Sequence, residues 1–315
     1  MFVTVVIPIY NGESDLPDLL ACLRSQTYPP QQVEYLLVDN NSHDRTVEWV
    51  TQAIVDFEKA GLTLKLRSES QIQSSYAARN VGIKAANGDI IAFTDADCRP
   101  QPQWLEKLIE PFEKTDIDLV MGEIEGLPSR NWLEYYAEHN KVLSQHYTLE
   151  NPFCPYGQTA NLAARRSLFQ TIGLFRPYLT TGGDADFCWR ALKESHEKSE
   201  KKWYFAAQAI VFHRHRSTLI ELAKQWQRYG RSNRYLHELH GIELMNPSKR
   251  SYLIYLWGRW LLREIPRYLL EIIRGKNAWL MILSTPINIY CNAQRFKGQS
   301  QAKLPDLARN IEYFS

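Results

Sequence analysis

The stretch Ile-Ile-Ala-Phe-Thr-Asp-Ala-Asp, residues 90–97, decides the fold of this 315-residue chain. Its apolar run predicts a β-strand that is buried on both faces. The strand leads directly into two carboxylates, Asp95 and Asp97, at the edge of a rigid sheet. Ligands of open α/β sheets bind at that edge, and carboxylate oxygens suit hard divalent cations. The alternative is a polar turn ahead of the next helix, which is the usual meaning of an isolated Asp-x-Asp pair.

Short apolar runs alternate with amphipathic segments along the chain before this stretch. The pattern predicts strands at 3–7, 33–38 and 62–66, and helices at 16–23, 46–57 and 75–86. Pro8 is expected to end the first strand. This β-α-β-α-β-α-β order predicts a mostly parallel, Rossmann-like sheet flanked by helices, an α/β fold. Farther along, the pattern predicts strands at 119–124 and 203–216, and helices at 131–147 and 219–229.

The glycine pattern excludes two common nucleotide-binding folds. A dinucleotide-binding domain needs G-x-G-x-x-G after the first strand, where this chain has Pro-Ile-Tyr-Asn-Gly-Glu at residues 8–13. A P-loop NTPase needs G-x-x-x-x-G-K-[ST], and the sequence contains no such motif.

Composition places the chain among ordinary globular proteins. Hydrophobic residues make up 44% and charged residues 23%, and the formal net charge is +2. The length predicts one large domain with an appendage, or two domains. The small net charge gives no indication of nucleic-acid binding. The five cysteines are odd in number and form no C-x-x-C pair, which favours reduced thiols in a reducing compartment.

The sequence indicates neither an export signal nor a spanning segment. The N-terminus lacks the basic region of a signal peptide, and residues 2–9 contain Pro8 and are predicted as a strand. No run reaches the ~18 apolar residues that a transmembrane helix needs. We therefore expect a cytoplasmic protein, with peripheral attachment to the inner face of the plasma membrane left open.

The second predicted strand also ends in an acidic residue, Asp39, which is followed by Asn-Asn-Ser. Loops from neighbouring parallel strands meet along one edge of the sheet, so Asp39 is expected to share a cleft with Asp95 and Asp97. There it can accept a hydrogen bond from a base N–H. The alternative is a local turn or helix cap built on the Asp39 side chain, because Asp and Asn favour such turns.

Four short motifs occur in order along the first third of the chain. They are Val-Val-Ile-Pro-Ile-Tyr-Asn-Gly-Glu at 5–13, Val-Asp-Asn-Asn-Ser at 38–42, Ala-Arg-Asn-Val-Gly at 78–82 and Thr-Asp-Ala-Asp at 94–97. Together they resemble the family 2 glycosyltransferases, which have the GT-A fold, over about residues 1–235. The resemblance implies an inverting enzyme with a nucleotide-sugar donor, usually a UDP-sugar. It also implies a saccharide or lipid-linked acceptor in polysaccharide or cell-envelope glycan synthesis.

The resemblance also implies roles for individual residues at the donor site. Those implied for the nucleoside and diphosphate are Pro8, Tyr10 and Glu13 in the first loop, Asp39 at the base, and Arg79 near the base or diphosphate. Asp95, Ala96 and Asp97 would stand at the donor ribose and a divalent cation, Mn²⁺ or Mg²⁺, with Asp97 the more direct ligand. Asn161 matches the family's segment beside the donor sugar and the acceptor.

A second acidic stretch, Thr-Gly-Gly-Asp-Ala-Asp-Phe-Cys-Trp-Arg at 181–190, begins a predicted helix. The resemblance makes Asp184 the catalytic base, which would take the proton of the acceptor hydroxyl. The family usually has Glu-Asp here, but Gly183 precedes Asp184 in this chain. The missing glutamate leaves the orientation and the pKa of Asp184 open. The alternative role of an acid at this position is to cap the helix.

Two later segments carry further candidates. The strand predicted over 203–216 would place His213 and His215 on one side, and the resemblance makes His213 a third metal ligand. The alternative is a basic surface turn. Gln225 and Arg228 keep the spacing of the family's Gln-x-x-Arg-Trp pattern, although Tyr229 replaces the tryptophan. They are therefore candidates for contact with the donor.

The end of the chain differs in charge from the rest. We expect a catalytic domain over residues 1–240 and a helical, basic extension over 241–315. Residues 246–300 have a net excess of seven positive charges, with Arg259, Arg263 and Arg267 at every fourth position. A basic face beside an apolar face is the pattern of a helix that lies on an anionic membrane. The alternative is a helix that packs on the catalytic domain with a solvated basic side.

Two other functions compete with glycosyl transfer. A nucleotidyltransferase on a similar sheet would need a first loop rich in Gly, Arg or Lys to hold a triphosphate, and residues 8–11 do not supply one. A nucleotide-sugar-binding protein without catalysis stays open, because the glutamate before Asp184 is missing.

Overall fold

The fold is built on one mixed β-sheet. The computed structural model describes residues 1–114, 116–197, 202–275 and 279–314; Lys276 of the basic tail lies outside them. The strands are β1 Val3–Ile9, β2 Val33–Asp39, β3 Thr63–Ser68, β4 Ile90–Phe93, β5 Cys98–Pro100, β6 Leu119–Gly126, β7 Leu162–Arg165 and β8 Trp203–His213. Their order across the sheet is β3-β2-β1-β4-β7-β6-β8-β5.

The α/β prediction is confirmed, and parallel pairing holds in the half of the sheet that contains β4. There β1 pairs in parallel with β2 and β4, and β2 pairs in parallel with β3. The β4–β7, β6–β7 and β5–β8 pairs are antiparallel. Helical crossovers between the first four strands supply the long connections that parallel pairing requires. Every residue of β4 is buried, as the sequence predicts.

The first strand runs through Pro8 to Ile9, so the prediction that Pro8 ends it is wrong. β4 pairs with β1 only as far as Val6, whereas β2 continues beside it with Val38 opposite Pro8. A proline, which lacks an N–H, is tolerated in a strand where one neighbour has already ended.

The helices are α1 Leu16–Arg24, α2 Thr46–Lys59, α3 Ser75–Ala85, α4 Trp104–Lys114, α5 Trp132–His139, α6 Gln145–Leu149, α7 Arg166–Ile172, α8 Gly183–Glu197, α9 Leu219–His240, α10 Arg250–Arg259, α11 Ile265–Ile273 and α12 Ser284–Gln301. The single helix predicted over 131–147 is in fact two helices, α5 and α6. Lys141 has a φ of 50° between them, a left-handed conformation that no α-helix contains. None of the helices in the described residues combines the length and apolar character needed to cross a bilayer.

The chain forms two compact units. The first contains Met1–Glu125, Leu143–Arg214 and Pro305–Ser315, and the second contains Gly126–Val142 and His215–Leu304. In the first unit the apolar sheet face is covered by side chains such as Leu16, Leu19 and Trp104, all fully buried. The sequence predicts that the catalytic domain ends at residue 240. A division into compact units does not reveal which residues take part in catalysis, so this boundary stays a prediction.

The second unit is an all-helical packing around α9 and α12. Its core consists of Leu133, Tyr136, Ala137, Leu222, Ile287 and Cys291. The two long helices approach closely at glycines: a Cβ on Gly230 would lie 1.8 Å from the Arg295 carbonyl oxygen. A Cβ on Gly298 would lie 2.0 Å from the Gln227 carbonyl oxygen. The close contact between α9 and α12 therefore requires glycine at both positions, because a side chain there would clash with the backbone of the other helix.

Residues 305–314 belong to the first unit and are bonded to its interior. The Arg176 guanidinium donates from Nη1 to the carbonyl oxygen of Ala308 at 3.1 Å and also to that of Arg309. The Leu174 N–H donates to the Glu312 carbonyl oxygen at 2.8 Å. This segment is thus an integral part of the unit that contains the sheet.

Candidate functional site

The loops after β1 and β2 are joined by hydrogen bonds at the carboxyl edge of the sheet. The Asn11 N–H donates to Ser42 Oγ at 2.9 Å, and the His43 N–H donates to Asn11 Oδ1 at 2.8 Å. Asn11 adopts a φ of 49°, which turns the loop back toward the second strand. Tyr10 is exposed at the tip of this loop. The two loops that the sequence assigns to the nucleoside therefore form one continuous surface.

Glu13 and Asp39 both have protein partners in these loops. A Glu13 carboxylate oxygen accepts a hydrogen bond from the Arg45 N–H at 3.2 Å. Asp39 is buried, and each of its carboxylate oxygens lies 3.3 Å from the Ser42 N–H. This is the local turn that the sequence left open as the alternative for Asp39. Contact of Asp39 with a base stays a prediction.

Arg79 and Asp95 form a buried ion pair at the end of β4. Arg79 lies on α3 and is almost fully buried, and its Nη2 donates to Asp95 Oδ1. The Arg79 Nε is buried without a hydrogen-bond partner in the described part of the chain. Asp95 itself is partly exposed. The pair holds the Arg79 guanidinium against the first carboxylate of the Asp-x-Asp motif.

Asp97 lies against a different partner, His213 at the end of β8. Its Oδ2 is 3.1 Å from His213 Nε2, and Cys98 lies opposite His213 in the β5–β8 register. Among the described residues, Asp97, Cys98 and His213 are the one group whose ligand atoms, all within 4.8 Å of one another, suit a metal ion. The two carboxylates of the motif therefore have different partners: Asp95 pairs with Arg79, and Asp97 pairs with His213.

The donor set at Asp97 fits a divalent cation such as Mn²⁺. A carboxylate and an imidazole are ligands that such ions accept, and His213 Nδ1 lies 2.8 Å from the Arg214 carbonyl oxygen. A proton on Nδ1 would point at that carbonyl and leave the Nε2 lone pair toward Asp97, the usual arrangement of a metal-binding histidine. Burial raises the pKa of the Cys98 thiol well above its ordinary value, which keeps the thiol a poor ligand.

His215 does not share the environment of His213. Strand β8 ends at His213, so the same-side placement predicted for the two histidines does not hold. Within the second unit, His215 Nε2 lies 2.9 Å from Glu138 Oε2.

Asp184 stands in the first turn of α8. Its Oδ1 accepts hydrogen bonds from the Ala185 N–H at 3.1 Å and from the Tyr76 hydroxyl at 3.3 Å. Loss of hydration raises the pKa of Asp184, while the Ala185 N–H and the Arg79 guanidinium act in the opposite direction. A carboxylate with a raised pKa is a stronger base than a free aspartate once it is ionised, and the side chain is partly exposed.

Asp186, two residues further along α8, has a structural role. It is fully buried, and its two carboxylate oxygens pair with Arg176 Nε at 3.0 Å and Arg190 at 3.1 Å. A buried carboxylate held between two arginines is not accessible to an acceptor. Of the two acids in the stretch, Asp184 is the one available for chemistry.

Asn161 needs a correction. The sequence suggested that it lies beside the donor sugar, but its side chain is buried and hydrogen-bonded in the core. Its Oδ1 accepts from Trp104 Nε1 at 2.8 Å, and its Nδ2 donates to the carbonyl oxygens of Glu123 and Ala209, both at 2.7 Å. The amide has no hydrogen left to donate to a ligand, so we assign Asn161 to fold stability.

The other candidates lie along the chain as follows. Pro8 is buried within β1, and Ala96 is partly buried in the turn after β4. Gln225 is buried and Arg228 is exposed on α9, which belongs to the second unit. The roles expected for these four residues stay predictions.

Sequence reasoning missed Tyr76 and Cys98. Tyr76 is an ordinary helix residue by pattern, and its contact with Asp184 spans 108 positions of sequence. Cys98 follows Asp97 directly, but its proximity to His213 depends on the pairing of two strands far apart in the chain. Adjacency to the Asp-x-Asp motif was the only available signal.

Comparisons with known proteins agree with this architecture. The model of "Glycosyl transferase family 2" matches residues 4–176. Glycosyltransferase AglE of Haloferax volcanii is 33% identical over 279 residues, which cover 87% of this chain and 85% of that protein. The pre-mycofactocin glycosyltransferase of Mycobacterium tuberculosis is 28% identical over 274 residues, which cover 84% of this chain and 53% of that protein.

The fold is also that of solved glycosyltransferase structures. The mannosyltransferase PcManGT from Pyrobaculum calidifontis, solved in complex with GDP-Man and Mn²⁺, superposes with a TM-score of 0.60 at 16% identity. The match covers 95% of this chain and 85% of that chain. The sheet, the ordered motifs, the family model and the long match to AglE agree, and the chain belongs to glycosyl transferase family 2.

Proposed function

We propose that the protein moves a sugar from a nucleoside-diphosphate sugar, with uridine as the expected base, to a hydroxyl group of a saccharide or lipid-linked acceptor. The transfer inverts the anomeric centre and serves polysaccharide or cell-envelope glycan synthesis. PcManGT was solved with GDP-Man, so guanosine donors belong in the same assays.

A chain of contacts through Tyr76 carries the proposal. Asp95 pairs with Arg79, whose guanidinium carbon lies 5.5 Å from the centre of the Tyr76 ring. The hydroxyl of that ring contacts Asp184. A positive group for the diphosphate and a carboxylate for the acceptor are thus joined through one side chain. An in-line displacement needs these two groups on opposite sides of the anomeric carbon, because the diphosphate leaves on one side while the acceptor attacks from the other.

In the proposed reaction the acceptor oxygen attacks the anomeric carbon, and the acceptor proton passes to Asp184. The bond from that carbon to the diphosphate oxygen breaks, and the diphosphate leaves with the electron pair. A single displacement of this kind inverts the carbon and needs no second carboxylate as nucleophile. Asp184 must be ionised to act, so activity is expected to rise with pH through the pKa of Asp184, which burial raises.

A divalent cation, Mn²⁺ or Mg²⁺, would supply positive charge against the leaving diphosphate. Asp97 and His213 are the residues proposed to hold it. Arg79 offers the chain's own fixed positive charge beside Asp95, which is proposed to meet the donor ribose or the cation. Pro8, Tyr10, Glu13, Asp39, Ala96, Gln225 and Arg228 remain proposed contacts of the donor.

Substitution of Asp184 by Asn tests the proposal. Asn is close in shape and retains capping ability, so folding and donor affinity should be preserved. Asn cannot take up the proton, so turnover should fall by about 10²–10⁴-fold. The measurements are donor binding by calorimetry and sugar transfer by product analysis, with a panel of UDP- and GDP-sugars.

The outcomes separate the competing functions. A variant that transfers at the wild-type rate removes Asp184 as the base. A wild-type protein that binds donor but transfers to none of the acceptors favours the binding protein without catalysis. Release of pyrophosphate from a nucleoside triphosphate would instead indicate the nucleotidyltransferase.

We also propose that the basic, helical part of residues 241–315 attaches the enzyme to an anionic membrane, where a lipid-linked acceptor would reside, while residues 1–240 carry catalysis. The support is the exposure of large apolar side chains: Ile254, Leu262 and Ile273 are 72%, 75% and 80% exposed. Arginines lie on the same segments, including Arg259, Arg263 and Arg267. Apolar side chains beside basic ones suit the boundary between headgroups and acyl chains.

A further inference from the structure

The space that a side chain at position 183 would need is filled by the ring of Tyr76. A Cβ on Gly183 would lie 2.8 Å from Cζ and 2.9 Å from each Cε of the Tyr76 ring. Real Cβ atoms do not approach other atoms so closely, and a packed aromatic ring cannot yield as a flexible side chain would. Gly183 is not among the glycines with positive φ, so space rather than backbone conformation excludes a side chain here.

The surroundings of Tyr76 hold its ring in one orientation. It stacks on Phe175 with ring centres 5.7 Å apart and planes 27° from parallel. The Arg79 guanidinium lies over the ring, and the Tyr76 N–H donates to Ser74 Oγ, the N-cap of α3, at 3.2 Å. An aromatic ring has only two side-chain torsions to restrain, so these contacts fix the direction of its hydroxyl. That hydroxyl points at Asp184 Oδ1.

We infer that Tyr76 is the positioning residue of Asp184 and takes the place of the glutamate that precedes the aspartate in most of the family. The inference rests on the proposed function of Asp184 as the general base. It goes further, because it names the group that orients this base in a chain where residue 183, a glycine, has no side chain to do so.

The hydrogen bonds at Asp184 support different roles for its two carboxylate oxygens. Tyr76 and the Ala185 N–H both donate to Oδ1, which leaves Oδ2 for the acceptor hydroxyl. Burial raises the pKa of the Tyr76 phenol far above its ordinary value, so it stays protonated and can only donate to an ionised Asp184. The described ionisable groups around Asp184 are Tyr76 and Arg79 from α3 and Cys188 from α8.

Substitution of Tyr76 by Phe tests the inference, because it removes the hydroxyl and keeps the ring against Gly183. We expect kcat to fall by about tenfold to a hundredfold, the range of a hydrogen bond to a charged group, with donor Kd unchanged. The acidic limb of the kcat/KM profile should move to higher pH, because the ionised base has lost a donor. The matched control is Tyr35→Phe, which removes another buried hydroxyl, bonded to the Leu23 carbonyl oxygen at 3.1 Å.

A size swap provides a second, independent test. Gly183→Glu alone should lose activity, because the new side chain meets the Tyr76 ring. The double variant Tyr76→Ala with Gly183→Glu restores the family's Glu-Asp pair in an emptied space, and it should recover at least tenfold over Gly183→Glu. Donor Kd and thermal melting, recorded for each variant, identify any that fail to fold.

The outcomes distinguish this inference from the proposed function. If Asp184→Asn is inactive while Tyr76→Phe keeps the wild-type kcat and pH profile, the base stands and the inference is wrong. A fall in kcat without a pH shift, equal to that of Tyr35→Phe, would also overturn it, since this indicates a structural role. If Asp184→Asn transfers normally, Asp184 is not the base, and the inference fails together with that assignment.

Discussion

At the scale of single residues, Asp97 offers the sharpest test of metal dependence. Asp97→Ala removes the carboxylate that we propose as a metal ligand, 3.1 Å from His213 Nε2, so any gain in donor affinity from Mn²⁺ should disappear. Calorimetry with a nucleoside diphosphate, with and without Mn²⁺, measures that gain. Asp116→Ala, at an exposed acid bonded to Lys202, is the control and should keep it. An Asp97→Ala protein with the wild-type gain would remove Asp97 from the metal site.

A second residue, Glu34, tests how charge supports the sheet. Its buried carboxylate accepts hydrogen bonds from Thr4 Oγ1 and Lys65 Nζ, both at 2.7 Å, and from the Asn87 N–H at 2.8 Å. Burial acts to raise the pKa of Glu34, but these bonds outweigh it and the net shift is downward. The stabilisation is therefore present above the unfolded-state pKa of 4.5 and is lost as pH falls through the lower folded-state pKa.

Glu34→Gln should consequently lower the free energy of unfolding by about 1.5–3 kcal/mol at pH 7. The difference from wild type should narrow as the pH is lowered below 4.5, where the native carboxylate also takes up a proton. Urea unfolding across this pH range measures both effects. Glu58→Gln, at an exposed position of α2, serves as control. A Glu34→Gln deficit that does not change with pH would assign the loss to packing instead of charge.

The residues that sequence reasoning found share one property. Asp39, Asp95 and Asp97 follow strands and Asp184 opens a helix, so local pattern alone marks them as edge residues. Tyr76 and Cys98 meet their partners through tertiary contacts, and Asn161 was placed beside the donor sugar by resemblance although its side chain is bonded within the core. Local pattern reveals which side chains stand at an edge, but it does not reveal which neighbour each one meets.

At the scale of elements, the crossing of α9 and α12 depends on Gly230. A Cβ there would lie 1.8 Å from a backbone oxygen of α12, which cannot move aside as a side chain can. Gly230→Ala should therefore destabilise the protein by about 1–3 kcal/mol or more. Gly258→Ala is the matched control: it is also helical, has nothing within 4 Å of its Cβ position, and should be neutral or stabilising. Chemical unfolding measures both, and equal effects would contradict the close approach.

The elements were largely predictable, because apolar periodicity and burial coincide in the strands and helices that cover the sheet. Each of the two failures has a specific structural cause. The break between α5 and α6 depends on a left-handed Lys141, a residue type with no preference for that conformation. The extension of β1 through Pro8 depends on where its neighbour β4 stops. Neither cause is visible from the segment itself.

At the scale of the whole molecule, charge is unevenly divided along the chain. Residues 246–300 have an excess of seven positive charges in a chain of net charge +2, so the remainder is net negative. A negative catalytic part would be repelled by an anionic bilayer that attracts the basic tail. Attachment would thus use the tail alone, and it should weaken with salt because ions screen exposed charges.

Substitution of Ile254, Leu262 and Ile273 by Ser tests this attachment. The triple variant should lose most of its binding to vesicles that contain anionic lipid, because each removed side chain would have buried apolar surface in the bilayer. Donor affinity should stay unchanged. Vesicle sedimentation at low and high salt is the measurement, with Val55→Ser, an exposed apolar position on α2, as control. Wild-type protein that ignores such vesicles at low salt would show that the tail serves packing only.

The bonds between residues 305–314 and Arg176 have a consequence for limited proteolysis. Arg176 also binds Asp186, so one guanidinium links this segment to the helix that carries Asp184. Cleavage within 305–314 would weaken the support of α8, whereas the bonds that join the loops after β1 and β2 would stay in place. A single cut would thus act on α8 from a distant part of the sequence and leave the other edge of the sheet unaltered.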